Sequence, residues 1–133
     1  CPRSPMLFVV NQGRIPGKPA GSQHNIVHLV TTVATAMTVG PWAIADGNAG
    51  AAHTSFSSDP AAIESLDWSA IGANNWSGKQ HEKQAEFLVA DRYPWTAIHE
   101  IGCYTDAVAV EVRDLIAGSP HRPAVVRQRG WYY

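Results

Sequence analysis

The chain is poor in the features that mark most function classes. Only two of its 133 residues are cysteine, Cys1 and Cys103. Their spacing fits neither a disulfide framework nor a zinc motif. Charged residues make up 16%, with 10 basic and 11 acidic side chains. The positive excess of a protein that coats a duplex non-specifically is missing, so any nucleic-acid contact should be local and site-directed. No apolar run approaches the roughly 18 residues that span a membrane. No charged segment precedes an apolar stretch as in a signal peptide. A soluble, reducing, cytoplasmic setting without a membrane partner is the expectation. There is no Walker loop, no dinucleotide fingerprint and no nucleophile elbow. His24 and His28 are four apart, but they frame a β-branched stretch and no HExxH pattern exists, so no metal is expected. An initiator Met is also lacking: Cys1-Pro-Arg-Ser-Pro5 reads as a chain cut upstream.

What is present is a core. Apolar residues reach 45%, and the length suits one domain over 1–133. Met6–Val10 is a short apolar run closed by Asn11-Gln-Gly13, which suggests a buried strand. Arg14–Ser22 holds two Pro and two Gly and should be a loop. Asn25–Thr32 is rich in β-branched residues and suggests a second strand. A helical turn is expected over Val33–Met37 and a short strand over Trp42–Ala45. Asp46 suits a helix N-cap before the alanines that follow. Ser57-Ser-Asp-Pro60 should start a helix running to about Leu66. Asp67–Gly78 should be irregular with one helical turn. Lys79–Gln84 is polar and loop-like.

Strands are expected at Ala85–Val89 and Ile98–Tyr104. Thr105-Asp106 should cap a helix to about Ala117, with Val108, Val112, Leu115 and Ile116 on one face. Ala124–Arg127 and Trp131–Tyr133 suggest a last strand or pair. The mixture is α+β, with short strands and few chances for βαβ crossovers.

One residue breaks the pattern. Glu86 stands between a polar stretch, Gln80–Gln84, and the apolar Phe87-Leu-Val89. A glutamate at a strand start is ordinarily a solvated edge residue. Here Lys79, His81 and Lys83 precede it. A polar loop leading into a strand-held carboxylate can hold a ligand hydroxyl and stabilise a cationic transition state. Trp68, Trp76, Trp95 and Trp131 read first as core or interface residues.

Several segments together resemble the DarT family of DNA ADP-ribosyltransferase toxins. They are Arg3-Ser-Pro-Met-Leu7 with Phe8-Val-Val10, Ile26-Val-His-Leu29, Asp46-Gly-Asn-Ala49, Leu66-Asp-Trp68 and Gln84-Ala-Glu-Phe-Leu-Val89. Pro94-Trp95, Ile98–Tyr104 and Trp131-Tyr-Tyr133 complete the series. Each is modest alone; the ordered set is specific and covers nearly the whole chain.

The resemblance implies an ADP-ribosyltransferase split β-sandwich, incomplete at its N-terminal side. It implies NAD as co-substrate and transfer of ADP-ribose to a base, thymine by family habit, in single-stranded DNA. It also implies a macrodomain antitoxin as partner. Glu86 matches the catalytic glutamate, which orients the nicotinamide-side ribose of NAD. Met6, Asn48, Lys83 and Arg3 match positions near the DNA substrate; many relatives carry His in place of Asn48. The family's NAD-holding histidine and threonine, and its base-activating arginine, lie upstream of Arg3-Ser-Pro-Met6. His24 and Arg14 come too late in the chain to replace them, so this stretch alone is expected to be poorly active. The rival readings are a non-catalytic module that binds single-stranded DNA or the antitoxin, and a transferase acting on RNA or protein.

Overall fold

The computed structural model describes residues Cys1–Tyr133, whose chain forms two interleaved compact units. One comprises Cys1–Pro5 and Val33–Tyr93; the other comprises Met6–Thr32 and Pro94–Tyr133. Each carries its own three-stranded sheet.

The Val33–Tyr93 unit is built on an antiparallel sheet. Its strands are β2 (Trp42–Ala45), β3 (Phe56–Ser57) and β4 (Glu86–Val89), in the order β3-β2-β4. Register runs from Trp42 opposite Val89 to Ala45 opposite Glu86. The Trp42 and Phe87 rings stack diagonally across this ladder at 5.3 Å. Short helical pieces follow capping aspartates. Asp59 accepts from the Ala61 N–H at 2.9 Å and starts a 3-10 turn, Pro60–Ile63. Asp67 accepts from the Ala70 N–H at 2.8 Å and starts α3 (Trp68–Gly72). Two further single turns are α2 (Val33–Ala36) and α4 (Gln80–Lys83).

The other unit is more thoroughly buried. Its sheet has β1 (His28–Val30), β5 (Glu100–Cys103) and β6 (Ala124–Arg127), in the order β1-β5-β6. β1 and β5 are antiparallel; β5 and β6 are parallel and joined through α5 (Asp106–Ile116), one βαβ crossover. Thr105 caps α5 through the Val108 N–H. The centre is aromatic: Leu7, Tyr104 and Tyr132 are buried, with Ile26, Trp131 and Tyr133 packed on them. The Tyr132 hydroxyl lies 2.7 Å from the Ile26 carbonyl and 3.0 Å from that of Gly102. A Cβ on Gly102 would come 2.6 Å from the Trp131 ring, so close packing demands glycine there.

Four local expectations are corrected. Met6–Val10 is helix, not strand: α1 spans Pro5–Asn11 with Pro at its first position. Its end is a Schellman turn, in which the Arg14 N–H reaches the Val9 carbonyl, the Gly13 N–H reaches that of Val10, and Gly13 has φ 67°. Asp46 caps no helix; residues 46–55 form a loop closed by Asp46 and Ser55. Lys79–Gln84 is not open loop, since α4 occupies it and Lys83 is buried. The end of the chain makes a 3-10 turn, Arg129–Trp131, where a strand was expected.

Candidate active site

The site grows from the point where the β2–β4 ladder ends. Ala45 and Glu86 are its last paired residues. Beyond them both backbones leave the sheet, and side chains continue the stitching. The Ala49 N–H donates to Glu86 Oε2 at 2.9 Å. Asn48 Nδ2 donates to Gln84 Oε1 at 3.3 Å. His81 Nε2 lies 3.2 Å from Asp46 Oδ1. Positions 46, 48 and 49 thus meet 81, 84 and 86 in the same chain order, a ladder made largely of side chains that runs opposite in sense to the β2–β4 pairing.

Within the loop, Asn48 Oδ1 accepts from the Gly50 N–H at 2.8 Å and the Asn48 carbonyl accepts from Thr54 Oγ1. Asp46 Oδ1 accepts from the Ser55 N–H at 2.9 Å. That bond to the ionised form is the first cause holding the Asp46 carboxyl below its ordinary value, with the charge and hydrogen bond of His81 adding to it.

Glu86 is solvent-exposed, with one oxygen held by a backbone amide. It borders a cavity of about 180 Å³ lined mainly by Val33, Ile44, Leu66, Trp68, Ile71 and Phe87. Pockets for drug-sized ligands run to roughly 300–1,000 Å³, so this one suits a ring and not a whole dinucleotide. Trp68 forms part of its wall while 53% exposed, and its Nε1 donates to the Ile63 carbonyl at 2.9 Å, which fixes the indole plane. An anchored carboxylate beside an apolar, ring-sized recess can hold sugar hydroxyls while a flat leaving group sits against the indole. The residues present therefore fit one end of NAD, its nicotinamide riboside.

The five residues singled out from the sequence separate cleanly. Glu86 and Asn48 are brought together, two links of the same side-chain ladder. Arg3 belongs to the same unit, half-buried at φ 55°, and donates to Asn74 Oδ1 at 2.7 Å. Lys83 does not face outward from a loop. It is 2% exposed, and its ammonium donates to the carbonyls of Ile71 and Ala73 at 2.6 and 2.9 Å. Burial, with the Arg3 charge second, lowers its pKa. Its visible work is to satisfy the C-terminal carbonyls of α3. Met6 lies on α1 in the other unit, 71% exposed.

The sequence reading missed the Asp46–His81 pair, the Ala49 amide and the Trp68 wall. Only the glycine at 47 hinted at the first, because a side chain there would strike the His81 ring.

Comparison with known proteins finds relatives that match the whole of this chain. Residues 1–133 match the family described as ssDNA thymidine ADP-ribosyltransferase, DarT. A DNA ADP-ribosyl transferase of Thermus aquaticus is 36% identical over 138 residues, an alignment that takes in all of this chain and 60% of that protein. The solved structure of Thermus sp. 2.9 DarT in complex with ADP-ribosylated ssDNA superposes with TM-score 0.93 at 33% identity, over all of this chain and 66% of that one. The same DarT in complex with NAD+ gives 0.92 at 34%, over 69% of its chain. This chain spans 60–66% of the length of the two curated Thermus relatives it matches. Its α+β architecture, with a small sheet in each unit, is that of an ADP-ribosyltransferase fold. By sequence over its whole length and by structure, the chain belongs to the DarT family.

Proposed function

We propose that this chain carries the catalytic carboxylate of an NAD-dependent transferase that adds ADP-ribose to thymidine in single-stranded DNA. The carrying observation is Glu86: an exposed carboxylate at the first position of β4, with one oxygen fixed by the Ala49 amide, beside a ring-sized apolar recess. Support comes from one relative of known structure, Thermus sp. 2.9 DarT, solved in complex with NAD+ and with ADP-ribosylated ssDNA.

The chemistry asked of the chain is electrostatic. When the bond from ribose to nicotinamide breaks, positive charge develops on the sugar and nicotinamide leaves neutral. A base nitrogen of the acceptor then bonds to the sugar carbon and loses its proton to solvent or a neighbouring base. Glu86 Oε1 accepts from ribose hydroxyls while Oε2 stays anchored, placing negative charge near the developing cation. A preorganised charge of this kind costs no reorganisation during the reaction. Asn48, joined to Gln84, stands on the loop that borders the carboxylate and is a proposed DNA contact. Met6 and Arg3 remain proposed DNA contacts; Lys83 supports the site from within. Residues 1–133 are one part of the transferase domain, and a macrodomain antitoxin is the proposed partner.

The test is an acceptor series in the full-length protein with NAD. Mass spectrometry of a thymidine-containing single-stranded oligonucleotide should show one added ADP-ribose. A thymidine-free strand, an RNA of the same sequence and bulk protein should show none. Labelling of RNA or protein instead would move the acceptor class. Strand binding with no mass gain would support the non-catalytic module.

A further inference from the structure

Of the glycines in the Val33–Tyr93 unit, the one with least room for a side chain lies two residues before the amide that holds Glu86. A Cβ built on Gly47 would fall 2.1 Å from Cε1 and 2.2 Å from Nδ1 of His81. Gly47 is not among the glycines with positive φ, so its backbone does not demand glycine; the imidazole does. The ring seated on Gly47 brings its Nε2 to 3.2 Å from Asp46 Oδ1. The same Oδ1 accepts from the Ser55 N–H, and the Asp46 N–H donates back to the Ser55 carbonyl at 3.2 Å. His53, from within the loop, packs its ring 4.6 Å from that of His81. One side chain on α4 therefore touches the start of the 46–55 loop directly and its end through Asp46.

We infer that His81 is a positioning residue for Glu86. Its imidazole, seated on Gly47 and bonded to Asp46, fixes the 46–55 loop so that the Ala49 N–H meets the carboxylate. Gly47 and His81 form a matched pair: the absent side chain of one makes room for the ring of the other. His81 acts through Asp46 and Ala49 and touches no reacting atom. The pair is partly exposed, with side-chain exposures of 28% for His81 and 45% for Asp46. Such pairs add little to global stability. Its effect should appear in loop order and turnover, because a small misplacement of a catalytic group costs far more than the contact itself. The catalytic half of this inference rests on the proposed transferase reading; the structural half does not.

The test uses the full-length protein and two readouts, hydrogen exchange at the Ala49 amide and steady-state transfer. His81→Phe keeps a ring on Gly47 but loses the bond to Asp46. It should speed Ala49 exchange and lower kcat, each about tenfold, with KM for NAD within about twofold. His81→Gln, which retains a donor, should recover most of both. Gly47→Ala should cost as much when His81 is present and nothing further in the His81→Ala background. Unchanged Ala49 exchange in His81→Phe, or a Gly47→Ala cost equal in both backgrounds, would overturn the inference. If the wild type transfers nothing, the functional reading fails, and the exchange measurement still decides this one.

Discussion

The two units are stabilised in different ways. The unit of Met6–Thr32 and Pro94–Tyr133 buries Leu7, Ile98, Ile101, Tyr104, Val125 and Tyr132 around β5. Its buried polar residue, Gln23, is spent on backbone: its amide pairs with both the N–H and the carbonyl of Tyr133. The unit of Cys1–Pro5 and Val33–Tyr93 buries Ile44 and three alanines, and the largest side chain it buries is a lysine. It is organised by side-chain-to-backbone bonds around Asp46, Asn48, Asp67, Lys83 and Glu86. The contrast shows where a reactive carboxylate can be kept. A buried apolar site penalises any carboxylate. A polar ladder leaves Glu86 exposed and oriented.

The comparison can be broken at its strongest point first. Tyr132→Ala should cost about 3–5 kcal/mol, the scale for emptying a buried aromatic site. Urea denaturation checks it; a loss under about 1 kcal/mol would mean the aromatic centre is not what holds that unit. Lys83→Met keeps the buried stem but strands the Ile71 and Ala73 carbonyls. A loss of about 1–3 kcal/mol is expected, with strand binding reduced no more than the loss of folded protein explains. A large fall in DNA affinity in fully folded Lys83→Met would instead return Lys83 to the nucleic-acid surface.

The units should also part company with pH. Asp46 sits below its ordinary value of 3.8 because the folded loop binds its ionised form. Its contribution is present above that value and fades as pH falls below about 4. Tyr132 is pushed up to about 12 by burial, with Cys103 nearby. Its contribution is present below the ordinary value of 10 and is lost as pH rises from 10 towards 12. Amide spectra across both ranges should show the Ser55 region moving in acid and the Tyr132 region in alkali; the reverse order would contradict the assignment. The smallest effect belongs to Leu115, 83% exposed on α5, where Leu115→Gln should change stability by less than about 0.5 kcal/mol.

Leu115 also marks a limit of sequence reading. The helix, its Thr105 cap and its span were legible because capping and periodicity are local. The face was not: the buried residue is Ala109, and the stripe through Val108, Val112 and Ile116 leaves Leu115 outside. β2 was read to the residue, since Gly40-Pro41 and Asp46 bracket it. Met6–Val10 was misread because a short apolar run has no period to distinguish strand from helix; Pro5 at the first helical position was the overlooked signal. Asp46 looked like a cap, but its carboxylate reaches nine residues on, to Ser55. Lys83 was matched to a position near the DNA in a polar, loop-like stretch, yet its partners, Ile71 and Ala73, lie ten or more residues back. Glu86 was found through its place in an ordered motif series. Its anchor, the Ala49 amide 37 positions away, left no mark in the sequence.

The most direct measurement is transfer by the full-length protein with Glu86→Gln beside the wild type. The readout is ADP-ribose added to a thymidine-containing single-stranded oligonucleotide, with folding checked by circular dichroism. Glutamine keeps the shape and an acceptor for the Ala49 amide but removes the charge. The predicted result is a normal fold, strand binding within a few-fold of wild type, and transfer reduced by about 100- to 1,000-fold. Transfer undiminished in Glu86→Gln would contradict the assignment of Glu86 as the catalytic carboxylate.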